Sequence, residues 1–155
     1  MESTLDLHGE MLLEQFHELL PRLKELEKTV SKMLKDTLFR SGVALNTLEH
    51  RIKTEQSLIG KLERKGQKYK DISDITDLFG IRVATFFTDD VDKVAAIVKE
   101  IFRVDWKNSE DKRKMHSLTS FGYNSLHYIC YLREGNLKDI PFELQMRNTT
   151  FSVTI

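Results

Sequence analysis

The stretch FELQMR, residues 142–147, alternates Phe142, Leu144 and Met146 with Glu143, Gln145 and Arg147. Read as a strand, it has one apolar face and one face carrying an acid, an amide and a cation. A second acid, Asp77, stands just before another alternating run, in which Ile81, Val83 and Thr85 interleave with Arg82, Ala84 and Phe86. If the two strands are neighbours, carboxylates from distant parts of the chain converge. Magnesium binds through one or two carboxylates plus substrate phosphates and keeps several waters, so such a pair is a sufficient protein ligand set for phosphoryl chemistry. Cations for the phosphates follow the same logic: Lys53, and the row Ser57, Lys61 and Arg64, whose steps of four and three put it on one face of a helix. Singly, each residue has a plainer use. Asp77 can end a turn, Glu143 can face water, and the basic row can be a solvated helix face. Their combination is what points to a site.

Elements must hold these side chains in place. From Leu12 the apolar positions Leu12, Phe16, Leu19, Leu23, Leu26, Val30 and Met33 step by four and three, the pattern of a helix with one buried stripe. Pro21 interrupts it, so the helix either kinks there or gives way to a second helix with proline in its first turn. In SGVALNTLEHRIK both strand and helix spacing fit. The strand reading, ending near Lys53, lets Thr54 cap a helix through EQSLIGKLERKGQ, with Gly66 as a stop. VDKVAAIVKEIF reads as an amphipathic helix capped by Asp90 or Asp89. DWKNSEDKRKMHSLTS shows no period and reads as a disordered or substrate-covering loop. Two strands follow, the first carrying Ser125 and His127 on one face just after Gly122 and Tyr123. The expected order is two helices, strand, helix, strand, helix, mobile loop, strand, strand: an α+β domain with a mixed sheet.

Composition narrows the function. The 155 residues, 40% hydrophobic, can bury one sizeable core. The 24 Lys plus Arg balance 24 Asp plus Glu, so a polyanion must meet a local cluster rather than a global field. Cys130 is the only cysteine, which excludes an intrachain disulfide and a cysteine-rich zinc site; its apolar context, HYICYL, reads as an inert core thiol in a reducing cytoplasm. The first residues are acidic, and no apolar run approaches the ~18 residues of a membrane span. Neither export nor membrane insertion is expected.

From about Arg51 to Arg147 the chain resembles the synthetase domain of the RelA/SpoT family. The resemblance is carried by RIKTEQSLIGKLERK, by DITDLFGIRV, by FGYNSLH and by FELQMR, ordered motifs of which any one alone would be a weak signal. It implies a nucleotidyltransferase-like mixed sheet flanked by helices, in a domain spanning 43–155 with residues 1–42 as an N-terminal helical segment packed on it. The implied reaction moves pyrophosphate from ATP to the 3′-hydroxyl of GDP or GTP, making the stringent-response alarmones ppGpp and pppGpp, with Mg2+ as cofactor. Carried over by position, Asp77 and Glu143 would hold magnesium, with Glu143 also the base for the acceptor hydroxyl. Arg51 and Arg82 would stack on the adenine of ATP, and Lys53, Ser57, Lys61 and Arg64 would bind its phosphates. Tyr123 would stack on the acceptor guanine, with His127 and Gln145 contacting the acceptor or its phosphates.

The chain departs from the family pattern in two places. The family continues past Arg147 with a long helix that often takes part in homo-oligomer assembly, whereas NTTFSVTI ends this chain, so a C-terminal truncation is expected. Thr119 stands where many members carry a lysine, although DKRK at 111–114 looks like the basic stretch of another subgroup. No His-Asp dipeptide occurs, so the family's hydrolase domain is not expected, and His8 and His17 read as surface or packing residues. Two alternatives remain: a toxin-like relative acting on an adenosine nucleotide or a tRNA 3′ end, and a nucleotide-binding module without catalysis. An RNA acceptor would draw on Arg64, Lys65, Lys68, Lys70, Lys112, Arg113 and Lys114, against the neutral overall charge.

Overall fold

A computed structural model describes residues 4–112 and 125–149. Helix α1 runs from Leu7 to Arg40 without a break, its first turn closed by Asp6, whose carboxylate accepts from the Gly9 amide at 2.7 Å. Pro21 lies inside it. The expected order began with two helices, with a kink as the alternative; one continuous helix is found instead. An interior proline costs about 3 kcal/mol. Against this, Leu12, Phe16, Leu23, Leu26, Val30, Leu34 and Leu38 are all buried on both sides of it, each contributing about 1.5–3 kcal/mol. The proline itself faces solvent. After α1 the chain turns at Gly42, whose φ of 72° is left-handed backbone that suits glycine.

Strand β1, Leu45–Ile52, leads to helix α2, Glu55–Lys65. Thr54 caps α2 as expected, its hydroxyl accepting from the Ser57 amide at 3.1 Å. Gly66 ends α2 in a right-handed conformation, φ −54°, and passes the chain into a short 3-10 turn. Strand β2, Phe79–Thr85, is followed by helix α3, Thr88–Ile101. The N-cap of α3 is Phe87, not Asp89 or Asp90. Both acids lie in the first turn itself, where carboxylates meet the positive end of the helix dipole.

The polar segment after α3 corrects the loop expectation. Phe102–Asp111 forms strand β3, paired antiparallel with strand β4, Ser125–Leu132. It is an edge strand, so it needs little apolar alternation, and its register shifts between Asp105 and Glu110. Ser109 bridges that bulge, its hydroxyl donating to the Asp105 carbonyl at 2.7 Å and accepting from the Ile129 amide at 2.9 Å. Residues 113–120 of the segment lie outside the described residues.

With strand β5, Phe142–Asn148, the sheet formed by the described residues has five strands in the order β1-β2-β5-β4-β3. The β2–β5 pair is parallel and the others antiparallel, the mixed sheet expected. Helix α1 packs on β1 and β2, and α3 on β2, β5 and β3. The core between includes Phe79, Phe102 and Phe142, with ring centroids 5.7 and 5.2 Å from Phe142. Cys130 is part of it, and burial pushes its thiol up to about 12, in keeping with an inert core cysteine. Among the described residues no helix is long and apolar enough to cross a membrane.

Candidate active site

Side chains of paired residues in a sheet point to the same side, so the register decides which charges meet. One cross-strand row reads Glu49, Arg82, Gln145, His127, Glu110 across all five strands. The next row reads Arg51, Gly80, Glu143, Ile129. Residues of opposite parity, such as Ile81, Leu144 and Tyr128, are buried in the core. The sheet therefore has an apolar face and a charged face.

A cleft of about 240 Å³ opens on the charged face over β1, β2 and β5. Of the residues expected at a site, Arg51, Lys53, Asp77, Arg82, Glu143 and Gln145 line it. Asp77 reaches it from the segment just before β2. Its Oδ2 lies 3.2 Å from Lys53 Nζ and its Oδ1 3.0 Å from Lys61 Nζ. Burial by itself raises the Asp77 pKa, but the hydrogen bond and charge of Lys61, together with Lys53, outweigh it and hold the carboxyl below its ordinary value. On β5, Glu143 accepts a hydrogen bond from Gln145 Nε2 at 2.8 Å. Among the described residues, Glu49, Arg51 and Arg82 have no side-chain hydrogen bond or ion pair. Two guanidiniums and an acid thus converge on one cleft with no partner among the described residues, an arrangement suited to a polar ligand.

Other expected residues stand elsewhere. Ser57 is exposed in the first turn of α2, and Arg64 borders a separate depression with Asp6 and Lys68. His127 lies two strands from Arg82 along the first row, its Nε2 2.9 Å from the Ser125 hydroxyl. Tyr123 lies outside the described residues. His8 and His17 have structural partners, the Tyr69 carbonyl and Glu55. Sequence reasoning missed Glu49 and Gly80 as cleft residues. Glu49 was legible in principle, since it lies two residues before Arg51 and so shares its face of β1. Gly80, opposite both Arg51 and Glu143, leaves the floor between them without a side chain.

Among the described residues no three of His, Cys, Asp and Glu gather as a metal cage. Asp77 and Glu143 line one cleft, and two carboxylates are the donor type of an ion that keeps waters and shares substrate phosphates, as magnesium does. The residues fit that ion.

Burial lowers the His127 pKa, and Lys112 and Arg82 add to the effect against the opposing charges of Glu143 and Glu110. The folded ring therefore resists protonation until below the value of about 6.5 that it has in the unfolded chain. In that window the unfolded state binds more protons, so stability should rise with pH and fall as pH drops below about 6.5. The urea midpoint of the parent should accordingly fall between pH 7 and pH 5. His127→Asn should flatten that fall, and an equal slope in both proteins would show that His127 is not its source.

The fold has solved counterparts. Small alarmone synthetase 1 from Bacillus subtilis superposes with a TM-score of 0.70 at 22% identity, over 87% of this chain and 72% of that one. Its structures bound to its product pppGpp and to AMPCPP match with TM-scores of 0.64 and 0.54, at 21% and 19% identity, over 85% and 87% of this chain and 72% and 70% of theirs. Small alarmone synthetase 2 of the same organism gives 0.61 at 26% identity, over 85% of this chain and 71% of that one. A chain from the complex of the Type VI effector Tas1 with its immunity protein gives 0.59 at 16%, over 87% of this chain and 62% of that one. No curated protein matches the sequence. The architecture is that of the small alarmone synthetases. Residues 50–153 match the region found in RelA/SpoT proteins, and the chain belongs to that family.

Proposed function

We propose that the protein transfers pyrophosphate from ATP to the 3′-hydroxyl of GDP or GTP, making ppGpp or pppGpp. The observation that carries this reading is the single cleft in which Arg51, Arg82 and Lys53 meet Asp77 and Glu143. Moving a pyrophosphoryl group is mostly positioning and charge neutralisation around an in-line attack, which needs cations and one carboxylate near the nucleophile. The guanidiniums of Arg51 and Arg82, without an ion pair among the described residues, hold the adenine by planar stacking. Lys53 and Lys61 neutralise its phosphates, with Ser57 and Arg64 further along the same helix face. Asp77 and Glu143 would hold magnesium, which supplies charge stabilisation at the phosphates when bound. Glu143, oriented by its hydrogen bond from Gln145, takes the proton from the acceptor hydroxyl. His127 meets the acceptor as a neutral hydrogen-bonding ring rather than as a cation, because its pKa is depressed. Tyr123 stacks on the acceptor base.

The likeness to a chain of the Tas1 complex favours a second reading, in which an adenosine nucleotide or another acceptor replaces GDP. Thin-layer separation of products from labelled ATP, offered GDP, GTP, AMP, ADP or tRNA in turn, tests both. A labelled guanosine product is expected. Product only with AMP or ADP would establish the second reading, and no product with any acceptor would leave a nucleotide-binding module.

The stacking role has its own test. Arg82→Lys conserves charge but loses the planar guanidinium. Stacking of a desolvated cation contributes about 1–2 kcal/mol, so the KM for ATP should rise about tenfold. An unchanged KM with a normal fold would make Arg82 a structural residue.

A further inference from the structure

Two ammonium groups hold Asp77 at once, one on each carboxylate oxygen, at 3.2 and 3.0 Å. The lysine side chains are only 15% and 19% exposed and the aspartate 30%, so water and salt screen these charges weakly. Both lysines are tied down. The Lys53 amide donates to the Leu78 carbonyl at 2.7 Å, extending the β1–β2 pairing. The Lys61 ammonium stands 5.8 Å from the centroid of the Tyr69 ring, which is itself buried, and the Tyr69 carbonyl is held by His8 at 2.6 Å. The local sum is two positive charges on one negative charge.

That sum treats two kinds of ligand in opposite ways. A bare divalent cation approaching Asp77 meets two ammoniums within a few ångströms of its binding position, and repulsion at that range is strong in a half-buried site. A triphosphate is drawn to the same pair, and each ammonium has three N–H donors that can turn from carboxylate to phosphate oxygen.

We propose that Lys53 and Lys61 act as a phosphate-released latch on Asp77, so that the carboxylate becomes a metal ligand only when a polyphosphate engages the lysines. The proposal rests on the reading above that the cleft takes ATP with a divalent ion, and it adds an order: the protein rejects the free ion and accepts the ion together with its phosphates. Asp77 is then the ligand that senses the donor, and metal and donor affinities are coupled through two side chains.

Titration of the protein with Mn2+ alone, followed by the electron paramagnetic resonance of the free ion, tests the latch without any turnover. Lys61→Met and Lys53→Met keep the apolar stem and remove one charge, so each should bind Mn2+ at least about tenfold more tightly than the parent. Lys61→Arg retains the charge and should stay as weak as the parent. Adding Asp77→Asn to Lys61→Met should abolish the gain. Thermal melts check that each variant folds, and either methionine variant suffices if the other does not. Mn2+ affinities within twofold of the parent in the folded methionine variants would overturn the latch, as would a gain that survives Asp77→Asn. Calorimetry with AMPCPP in the absence of metal covers the other half, with Lys61→Met expected to bind at least about tenfold more weakly than the parent. AMPCPP binding unaffected by Lys61→Met would overturn release by phosphate. AMPCPP that bound none of the proteins would overturn the donor reading and release by phosphate with it, while the Mn2+ titrations would still report the lysine block on Asp77.

Discussion

Asp77→Asn and Glu143→Gln should each reduce pyrophosphate transfer by roughly a thousandfold, the scale on which a proton-transfer group or a charge-stabilising contact acts. Each substitution removes one negative charge at nearly constant volume. Their effects on stability should differ, because their surroundings do. Asp77 is the counter-charge of two half-buried lysines, and its asparagine variant leaves both without one. Its depressed pKa means that the stabilisation is fully present above the unfolded value of about 3.9 and is lost as pH falls through the folded value. Asp77→Asn should therefore melt earlier than the parent at pH 7, and the difference should shrink at low pH. Glu143 has a hydrogen bond from Gln145 and no ion pair among the described residues, so Glu143→Gln should melt near the parent. Labelled-ATP assays beside thermal melts read both quantities. Transfer within a few-fold of the parent in either variant would remove that acid from the chemistry.

The difference between these two acids also shows what the sequence could carry. Alternation along residues 142–147 put Glu143 with Gln145, and alternation along the β2 run put Arg82, on the side of its own strand opposite the apolar residues, since a period of two is fixed by the pleat. The Thr54 cap was legible for the same local reason, a hydroxyl placed before the first turn of a helix. Strand neighbours were not. The β2–β5 pairing that sets Gly80 beside Glu143 joins segments far apart in the chain, and nothing periodic in either one specifies it. Nor does the sequence around Asp77 announce its two lysine partners, which come from the end of β1 and the middle of α2. The edge strand β3 escaped notice because an edge can be polar on both faces and still be ordered by its hydrogen bonds to one neighbour. Pro21 misled in the opposite direction. A local rule against proline in helices lost to a buried stripe that continues on either side of it.

Phe142→Ala is expected to be the most destabilising single change discussed. Phe142 is fully buried on the strand between β2 and β4, with the Phe79 ring tilted against it and the Phe102 ring edge-on at 85°. Truncating a buried phenylalanine costs about 3–5 kcal/mol, because the cavity it leaves collapses only in part. Set against a total stability of about 5–15 kcal/mol for a domain, that is a large share. Phe142→Leu keeps most of the volume and should cost far less. The two variants also separate fold from chemistry. Phe142 faces the helices while Glu143, the next residue, faces the cleft, so a mutation at 142 acts on the site only through the strand that both share. Urea unfolding at 25 °C should show the large loss in the alanine variant, whereas transfer per folded molecule, measured below the onset of unfolding, should stay within a few-fold of the parent. A loss under about 1 kcal/mol would mean that the three rings are not the packed centre of the sheet. Activity lost in the folded fraction would mean instead that the position of Glu143 depends on the packing beneath it.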